Sequence, residues 1–125
     1  MIASSPLNAF VRITDAKRAR KFYESVLGLE LVSENEYVLV FRAKNALVMA
    51  QRMEKFSPLQ GTVLGWEVKD IHKTVSAMAK SGVTFERYKG MDQDDLGIWT
   101  SPDGKVAWFK DPDGNVLSVS EHGDY

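Results

Sequence analysis

The chain repeats one order of elements twice, and this repeat constrains its fold more than any single motif. An apolar, strand-like run ends on Asp15 in the first half and on Asp70 in the second, 55 positions later. A segment of helical period follows each aspartate and ends at a glycine, Gly28 or Gly82. Each aspartate is placed to cap its helix, and each glycine is placed to end it. The two halves therefore share one plan.

More strand-like segments follow each helix. They are residues 29–32, 37–42 and 46–53 in the first half, and 83–86, 97–101, 105–110 and 116–121 in the second. A strong turn sequence, Asp-Pro-Asp-Gly-Asn at 111–115, precedes the last segment, and 90–95 has the composition of a mobile loop. From the plan that the two halves share, we expect a βαβββ module in each, with module one at about 7–53 and module two at about 62–121.

Composition excludes several classes of protein. The chain has 125 residues, 44% of them hydrophobic and 26% charged, which is the balance of a globular domain. Its 16 basic and 17 acidic residues leave a net charge of −1, without the basic surface that nucleic acid or an anionic membrane would require. There are no cysteines, so thiol catalysis, cysteine-held zinc and disulfides are excluded. We expect a cytoplasmic protein with no nucleic-acid or membrane partner.

Two motifs carry a family resemblance. Phe22-Tyr23 followed by Leu27-Gly28-Leu29 stands in module one, and the turn at 111–115 stands in module two. With the paired βαβββ modules, these elements resemble the vicinal oxygen chelate superfamily, the group of glyoxalases, bleomycin resistance proteins and ring-cleaving dioxygenases. The resemblance covers about 7–121. It implies an α+β fold whose two modules form a curved, partly open barrel around a ligand cavity, and a homodimer.

The resemblance also implies a divalent metal held by histidine and glutamate side chains on matching strands of the two modules. In this chain the corresponding positions are Asn8, Gln51, Val63 and Ser118. Amide oxygens are weak substitutes for imidazole and carboxylate, serine is a poor ligand for zinc, nickel or ferrous iron, and valine offers no donor. We therefore expect no metal and no other cofactor.

Strand alternation, started from the position of the family's first histidine, predicts which side chains face the cavity. These ligand-binding candidates are Asn8, Phe10, Arg12, Met49, Gln51, Val63, Glu67 and Ser118. Trp99 and Trp108 would either form an aromatic wall of the cavity or belong to the core. Such a mixture of aromatic, thioether, amide and charged groups suits a moderately sized organic ligand.

Few charged side chains are placed for chemistry. Arg12 and Glu67 each stand three residues before a capping aspartate, so they could pair with one another, or Arg12 could hold a ligand carboxylate. Glu67 could act as a general base if desolvation raised its pKa. We interpret His72 and His122 as surface residues, and the acidic run at 92–95 as a solvated loop.

The function predicted from the sequence is metal-independent binding of a small organic molecule, similar to the antibiotic-sequestering members of the resembled group. The alternative is a glyoxalase-like lyase, isomerase or dioxygenase that acts on a small oxygenated substrate, with a divalent metal or with Glu67 as its base. A third possibility is an interaction module whose cavity is filled.

Overall fold

The computed structural model describes residues 2–123, and the chain divides into two compact units, Met1–Pro58 and Leu59–Tyr125. Unit one contains β1 (Leu7–Ile13), helix α1 (Ala16–Arg20) continued by a π-helical segment (Lys21–Val26), β2 (Glu30–Glu34), β3 (Val38–Ala43) and β4 (Ala46–Arg52). Unit two contains β5 (Thr62–Glu67), α2 (Ile71–Lys80), β6 (Trp99–Thr100), β7 (Lys105–Lys110) and β8 (Val116–Glu121).

Each unit carries one four-stranded mixed sheet. The strand orders are β1-β4-β3-β2 and β5-β8-β7-β6. The first and last strands of each unit pair in parallel, and the remaining pairs are antiparallel. The α+β class and the repeated βαβββ order are therefore confirmed.

The helix boundaries follow the repeat. Asp15 accepts a hydrogen bond from the backbone N–H of Arg18 at 3.0 Å, and Asp70 accepts one from Lys73 at 3.1 Å. These bonds satisfy donors that the first helical turn leaves without partners. Gly82 follows α2 with a φ of +101°, a left-handed conformation in which a β-carbon would be strained. Both predicted caps are confirmed.

The core of unit one lies between its sheet and the helix. Val11 and Ile13 are buried, as alternation along β1 predicts, while Phe10 and Arg12, which alternate with them, are exposed. The fully buried Tyr23 ring lies 5.5 Å from the ring of Phe41 on β3. Burial of such rings and branched side chains supplies the main favourable free energy of a fold of this size. It also fixes which face of the sheet stays open.

Unit two repeats this arrangement. Leu117 and Val119 on β8 are buried, as predicted, and α2 packs against β7 and β8. The turn before β8 is closed by Asp111, whose carboxylate accepts the side-chain amide of Asn115 at 2.8 Å and its backbone N–H at 2.9 Å. Both residues are buried, so the predicted turn is a hydrogen-bonded part of the core.

One expectation for unit two is wrong, and a second segment has contacts that the sequence did not show. The segment 83–86 forms no strand but a single bridge from Phe85 to Phe109, beside a bond from the Glu86 N–H to the Trp108 carbonyl at 2.7 Å. The segment 90–95, expected to be a mobile loop, is tied down by Gln93. The Gln93 amide donates to the carbonyls of Glu86 and Gly97 at 2.9 and 2.8 Å. The composition of the segment alone does not predict these hydrogen bonds from the Gln93 side chain.

None of the helices within residues 2–123 is long and apolar enough to cross a membrane.

Candidate functional site

The open face of the unit-one sheet displays three sequence-predicted residues from one strand. Asn8, Phe10 and Arg12 are exposed on β1, opposite in parity to the buried Val11 and Ile13. The parallel register places Phe10 beside Met49 and Arg12 beside Gln51 on β4. Residues that pair across neighbouring strands lie on one face of a sheet, so these four side chains form two adjacent rows.

These rows form the floor of a hollow of about 520 Å³. We call it the unit-one hollow; its lining residues are Phe10, Arg12, Tyr37, Val38, Met49, Gln51, Arg52 and Met53. Its size is within the range of small-molecule sites. The side chains are aromatic, aliphatic, thioether, amide and guanidinium groups, the mixture that the sequence predicts for an organic ligand.

Two arginines border the hollow. Arg12 and Arg52 both line it, and no described lining residue is acidic. Alternation along β4 places Arg52 on the same face as the buried Val48 and Ala50, opposite to Met49 and Gln51, and there its Nη2 donates to a Glu34 carboxylate oxygen at 2.8 Å. The Nε of Arg52 is buried, and it donates to no acceptor among the described residues. The guanidinium of Arg52 therefore belongs to the helix side of the sheet, and Arg12 is the arginine that stands in the rows of the hollow's floor.

A second group of candidates lies on the open face of the unit-two sheet. Trp108 pairs with Ser118, and its ring lies 6.1 Å from that of Trp99 and 5.6 Å from that of Tyr88. The Trp108 indole N–H donates to the Thr62 hydroxyl at 3.1 Å. The sequence left the orientation of both tryptophans open. The structure places them together on the sheet face that carries Ser118, which we call the tryptophan face.

The start of β5 is irregular. The pairing of β5 with β8 shifts between Thr62 and Leu64, so the half-buried Val63 lies in a bulge. Beyond the bulge, Gly65 pairs with Ser118, and a β-carbon on Gly65 would lie 2.5 Å from the Ser118 hydroxyl oxygen. A bulge adds a residue to one strand and shifts the alternation that follows. Thr62, which the sequence did not single out, thus joins the tryptophan face.

Glu67 ends β5 against His122. Its carboxylate accepts hydrogen bonds from the His122 backbone N–H and from the Ser120 hydroxyl at 3.1 Å, and lies 2.8 Å from His122 Nδ1. The His122 contact lowers the pKa of the Glu67 carboxyl, and this outweighs the opposite effect of its burial. Two expectations are corrected here. His122 is not a plain surface residue, and the pKa of Glu67 is not raised as a general base would need.

The other histidine lies elsewhere. His72 is half-exposed on α2, and its Nε2 lies 3.5 Å from a carboxylate oxygen of Asp94. Asp94 itself accepts the backbone N–H groups of Leu96 and Ile98 at 2.9 Å, so it orders its own loop. This exposure agrees with the surface position that the sequence predicts for His72.

The register of β1 and β4 bears on the divalent metal that the family resemblance implies. On β4 the residue beside Asn8 is Leu47, whereas Gln51 lies beside Arg12. Gln51 lies four residues after Leu47 along the strand, roughly 13 Å at the usual rise per residue. Asn8 and Gln51 therefore do not lie side by side on the sheet. The side chain actually next to Asn8 is aliphatic and cannot bind a metal.

The other residues that the structure describes offer no replacement. Within residues 2–123, no three histidine, aspartate or glutamate side chains come close enough together to hold a metal ion. The amide of Asn8, the hydroxyl of Ser118 and the alkyl group of Val63 are not the donors that the family's metal requires. The residues at these positions do not fit that metal.

The structure thus brings the candidates together in two sets. Phe10, Arg12, Met49 and Gln51 line the unit-one hollow, while Glu67, Trp99, Trp108 and Ser118 share the open face of unit two. Asn8 is on the open face of unit one but does not line the hollow. Sequence reasoning missed Tyr37, Val38, Arg52, Met53 and Tyr88. Val38 could be found only from the register of β3 against β4, which pairs it with Gln51.

Solved structures of similar fold come from several bacteria. A glyoxalase family protein from Enterococcus faecalis matches with a TM-score of 0.74 and 19% identity, over 97% of this chain and 100% of that one. A lactoylglutathione lyase from Agrobacterium tumefaciens has a TM-score of 0.74 and 16% identity, over 97% and 96%. An antibiotic binding protein from a Streptomyces species has a TM-score of 0.74 and 20% identity, over 98% and 99%.

At these identities the structural likeness establishes the fold alone. No curated protein matches the sequence significantly. A family model does match, over residues 6–119, which is nearly the whole chain. Together with the two βαβββ units, this match shows that the chain belongs to the Glyoxalase/Bleomycin resistance protein/Dioxygenase superfamily.

Proposed function

We propose that the chain is a metal-independent binding protein for a small organic molecule, which it holds in the unit-one hollow. The observation that carries this proposal is the exposure of large apolar side chains around that hollow. Phe10, Tyr37 and Met53 are 53%, 71% and 39% exposed. Leaving three such groups in water around one concavity costs free energy that a ligand would recover.

The chemistry of the lining supports an organic ligand. Phe10 and Tyr37 offer ring faces for stacking, and Met49 and Met53 adapt their shape to an aromatic or aliphatic body. Gln51 supplies an amide that both donates and accepts hydrogen bonds. A few polar groups among apolar ones fix the orientation of a ligand without a large desolvation cost.

The donor set supports metal independence. Leu47 is the neighbour of Asn8 on β4, and neither Val63 nor Ser118 supplies the imidazole or carboxylate that a divalent metal would select. Binding would then depend on stacking and hydrogen bonds alone. Sequestration of an antibiotic or another organic compound is a function of this kind, and one protein of the same fold is described as antibiotic binding.

An enzymatic function is the alternative, since a lactoylglutathione lyase shares the fold. Its metal-free form would use Glu67 as base. The lowered pKa of that carboxyl makes it a weaker base near neutral pH, so the side chain is poorly matched to proton abstraction. This favours binding over catalysis.

The proposal is tested by titrating chelator-treated protein with the fluorescent dye anilinonaphthalene sulfonate. We expect saturable binding of one dye per chain, weakened by Phe10→Ala and unchanged by Leu59→Ala, which removes an apolar side chain that is 67% exposed outside the hollow. Dye recovered unaltered after long incubation supports a binder. Absence of saturable binding contradicts the proposal, and consumption of any bound compound would make the chain an enzyme.

The proposal includes a homodimer, which the family resemblance implies. Light scattering at several protein concentrations measures the mass directly. A mass near twice 14.0 kDa supports the dimer, and a mass near 14.0 kDa contradicts it.

A further inference from the structure

We infer that the unit-one hollow selects a planar aromatic compound whose edge carries a hydrogen-bond donor beside an acceptor, as a lactam does. The ring lies on Phe10 and Met49, and the edge binds the carboxamide of Gln51. This inference rests on the proposed function and names the class of ligand for the same site. It starts from the register of the strands and from the partners of the polar side chains in the floor.

The register sets an apolar row beside a polar one. Phe10 and Met49 pair across β1 and β4, and together they present an aromatic ring and a thioether. Phe10 is exposed, so its ring is open to a stacked ligand. The next row on the same face pairs Arg12 with Gln51 and lies about 7 Å further along the strands. A bicyclic ring that lies on the first row therefore brings its edge to the second.

The charges of the lining do not favour a charged ligand. Arg12 already has a partner within the chain, so an anion would compete with that partner for the guanidinium. Arg52 lies on the helix side of the sheet, where it binds the carboxylate of Glu34. A cationic ligand meets no carboxylate among the described lining residues. Because a charge that leaves water needs a partner, selection falls to the uncharged polar group of the floor.

That uncharged group is the carboxamide of Gln51. The side chain is exposed and lines the hollow, and it makes no hydrogen bond with any residue that the structure describes. Its neighbour on β3 is Val38, whose side chain offers neither a donor nor an acceptor. A carboxamide presents N–H donors beside a carbonyl acceptor. It therefore pairs with an edge on which an acceptor stands next to a donor, as glutamine pairs with the edge of adenine.

The test uses three bicyclic aromatic compounds: the lactam isoquinolinone, its N-methyl derivative and naphthoate. The lactam has a donor beside its acceptor, the N-methyl derivative keeps only the acceptor, and naphthoate carries a charge. Each is titrated by calorimetry into chelator-treated protein at neutral pH. We expect isoquinolinone to bind about fivefold or more tightly than its N-methyl derivative, because methylation removes one hydrogen bond to Gln51. It should also bind more tightly than naphthoate, and Gln51→Ala should remove its preference over the N-methyl derivative.

The matched control is Gln60→Ala. Gln60 is exposed in the segment that connects β4 to β5 and does not line the hollow. Its replacement should leave the preference for isoquinolinone unchanged, and urea unfolding of each variant checks that the fold is retained. If none of the three compounds binds, the proposed function fails together with the inference. If isoquinolinone and its N-methyl derivative bind equally, the hollow is a binding site but the inferred selectivity is wrong. Tightest binding of naphthoate, or a preference that survives Gln51→Ala, also overturns the inference.

Discussion

Glu67 and His122 join the ends of two parallel strands through one carboxylate. Glu67 is the last residue of β5, and His122 directly follows β8. The carboxylate accepts the His122 backbone N–H and lies 2.8 Å from its ring Nδ1. Because these contacts favour the ionised carboxylate, they lower the pKa of Glu67. A contact that depends on charge makes the stability of unit two depend on pH.

The sign of that dependence follows from the direction of the shift. The pKa of the folded Glu67 lies below its ordinary value of 4.5. The stabilisation is therefore present above that value and is lost as the pH falls through the lowered pKa. Glu67→Gln should lower the free energy of unfolding at pH 7 by about 0.5–1 kcal/mol, a modest amount because water screens this exposed side chain.

Urea unfolding at several pH values measures the difference. The gap between the parent chain and Glu67→Gln should narrow as the solution is brought to about pH 3. Glu54→Gln, an exposed side chain outside the strands, removes the same charge and should show no such gap. A Glu67→Gln gap that stays constant across this range would show that the carboxylate charge contributes nothing.

Gly104 lies against the backbone at the end of β8, where there is no room for a β-carbon. A β-carbon there would lie 2.4 Å from the Glu121 carbonyl oxygen and 3.0 Å from the His122 Cα, both of them backbone atoms. Gly104→Ala should destabilise the chain by about 1–3 kcal/mol, as overpacking does elsewhere. Gly61→Ala is the matched control, because a β-carbon there meets nothing within 4 Å. Equal urea midpoints for the two variants would contradict this account.

Gln93 holds the segment that supports the tryptophan face. Its side-chain oxygen accepts the Tyr88 N–H at 2.7 Å, while its nitrogen donates to two carbonyls. Gln93→Glu would set a carboxylate against those carbonyls. We expect a loss of about 1–2 kcal/mol, since part-buried polar groups lose their partners, and faster hydrogen exchange at the Tyr88 amide.

Gln60→Glu makes the same chemical change at an exposed position in the segment of chain that connects β4 to β5. It should leave both the unfolding midpoint and the Tyr88 exchange rate unchanged. If Gln93→Glu is equally silent, the loop does not depend on the Gln93 amide.

Local signals were sufficient for most of the fold. The caps at Asp15 and Asp70, the buried parity of Val11 and Ile13, and the turn at 111–115 each depend on neighbouring residues alone. The segment 83–86 was mispredicted because its β-rich composition says nothing about the partner strand. The segment contacts β7 only through the bridge from Phe85 to Phe109 and the bond from the Glu86 N–H to the Trp108 carbonyl.

The candidate site was less accessible to sequence reasoning. Alternation found Phe10 and Arg12, because both lie on one strand whose buried face is apolar. It could not find Tyr37 or Arg52, whose positions depend on the register between strands. It also misjudged His122, since only the parallel pairing of β5 and β8 brings that residue to Glu67, 55 positions away.

Dye binding by chelator-treated protein, before and after addition of zinc or nickel ions, tests the central claim most directly. The claim is that the unit-one hollow binds an organic ligand without a metal. We predict one anilinonaphthalene sulfonate per chain, with the same affinity within about twofold in both samples, because the lining residues that the structure describes include no histidine, aspartate or glutamate to bind the ion. Saturable binding that appears only after the metal is added would contradict the account.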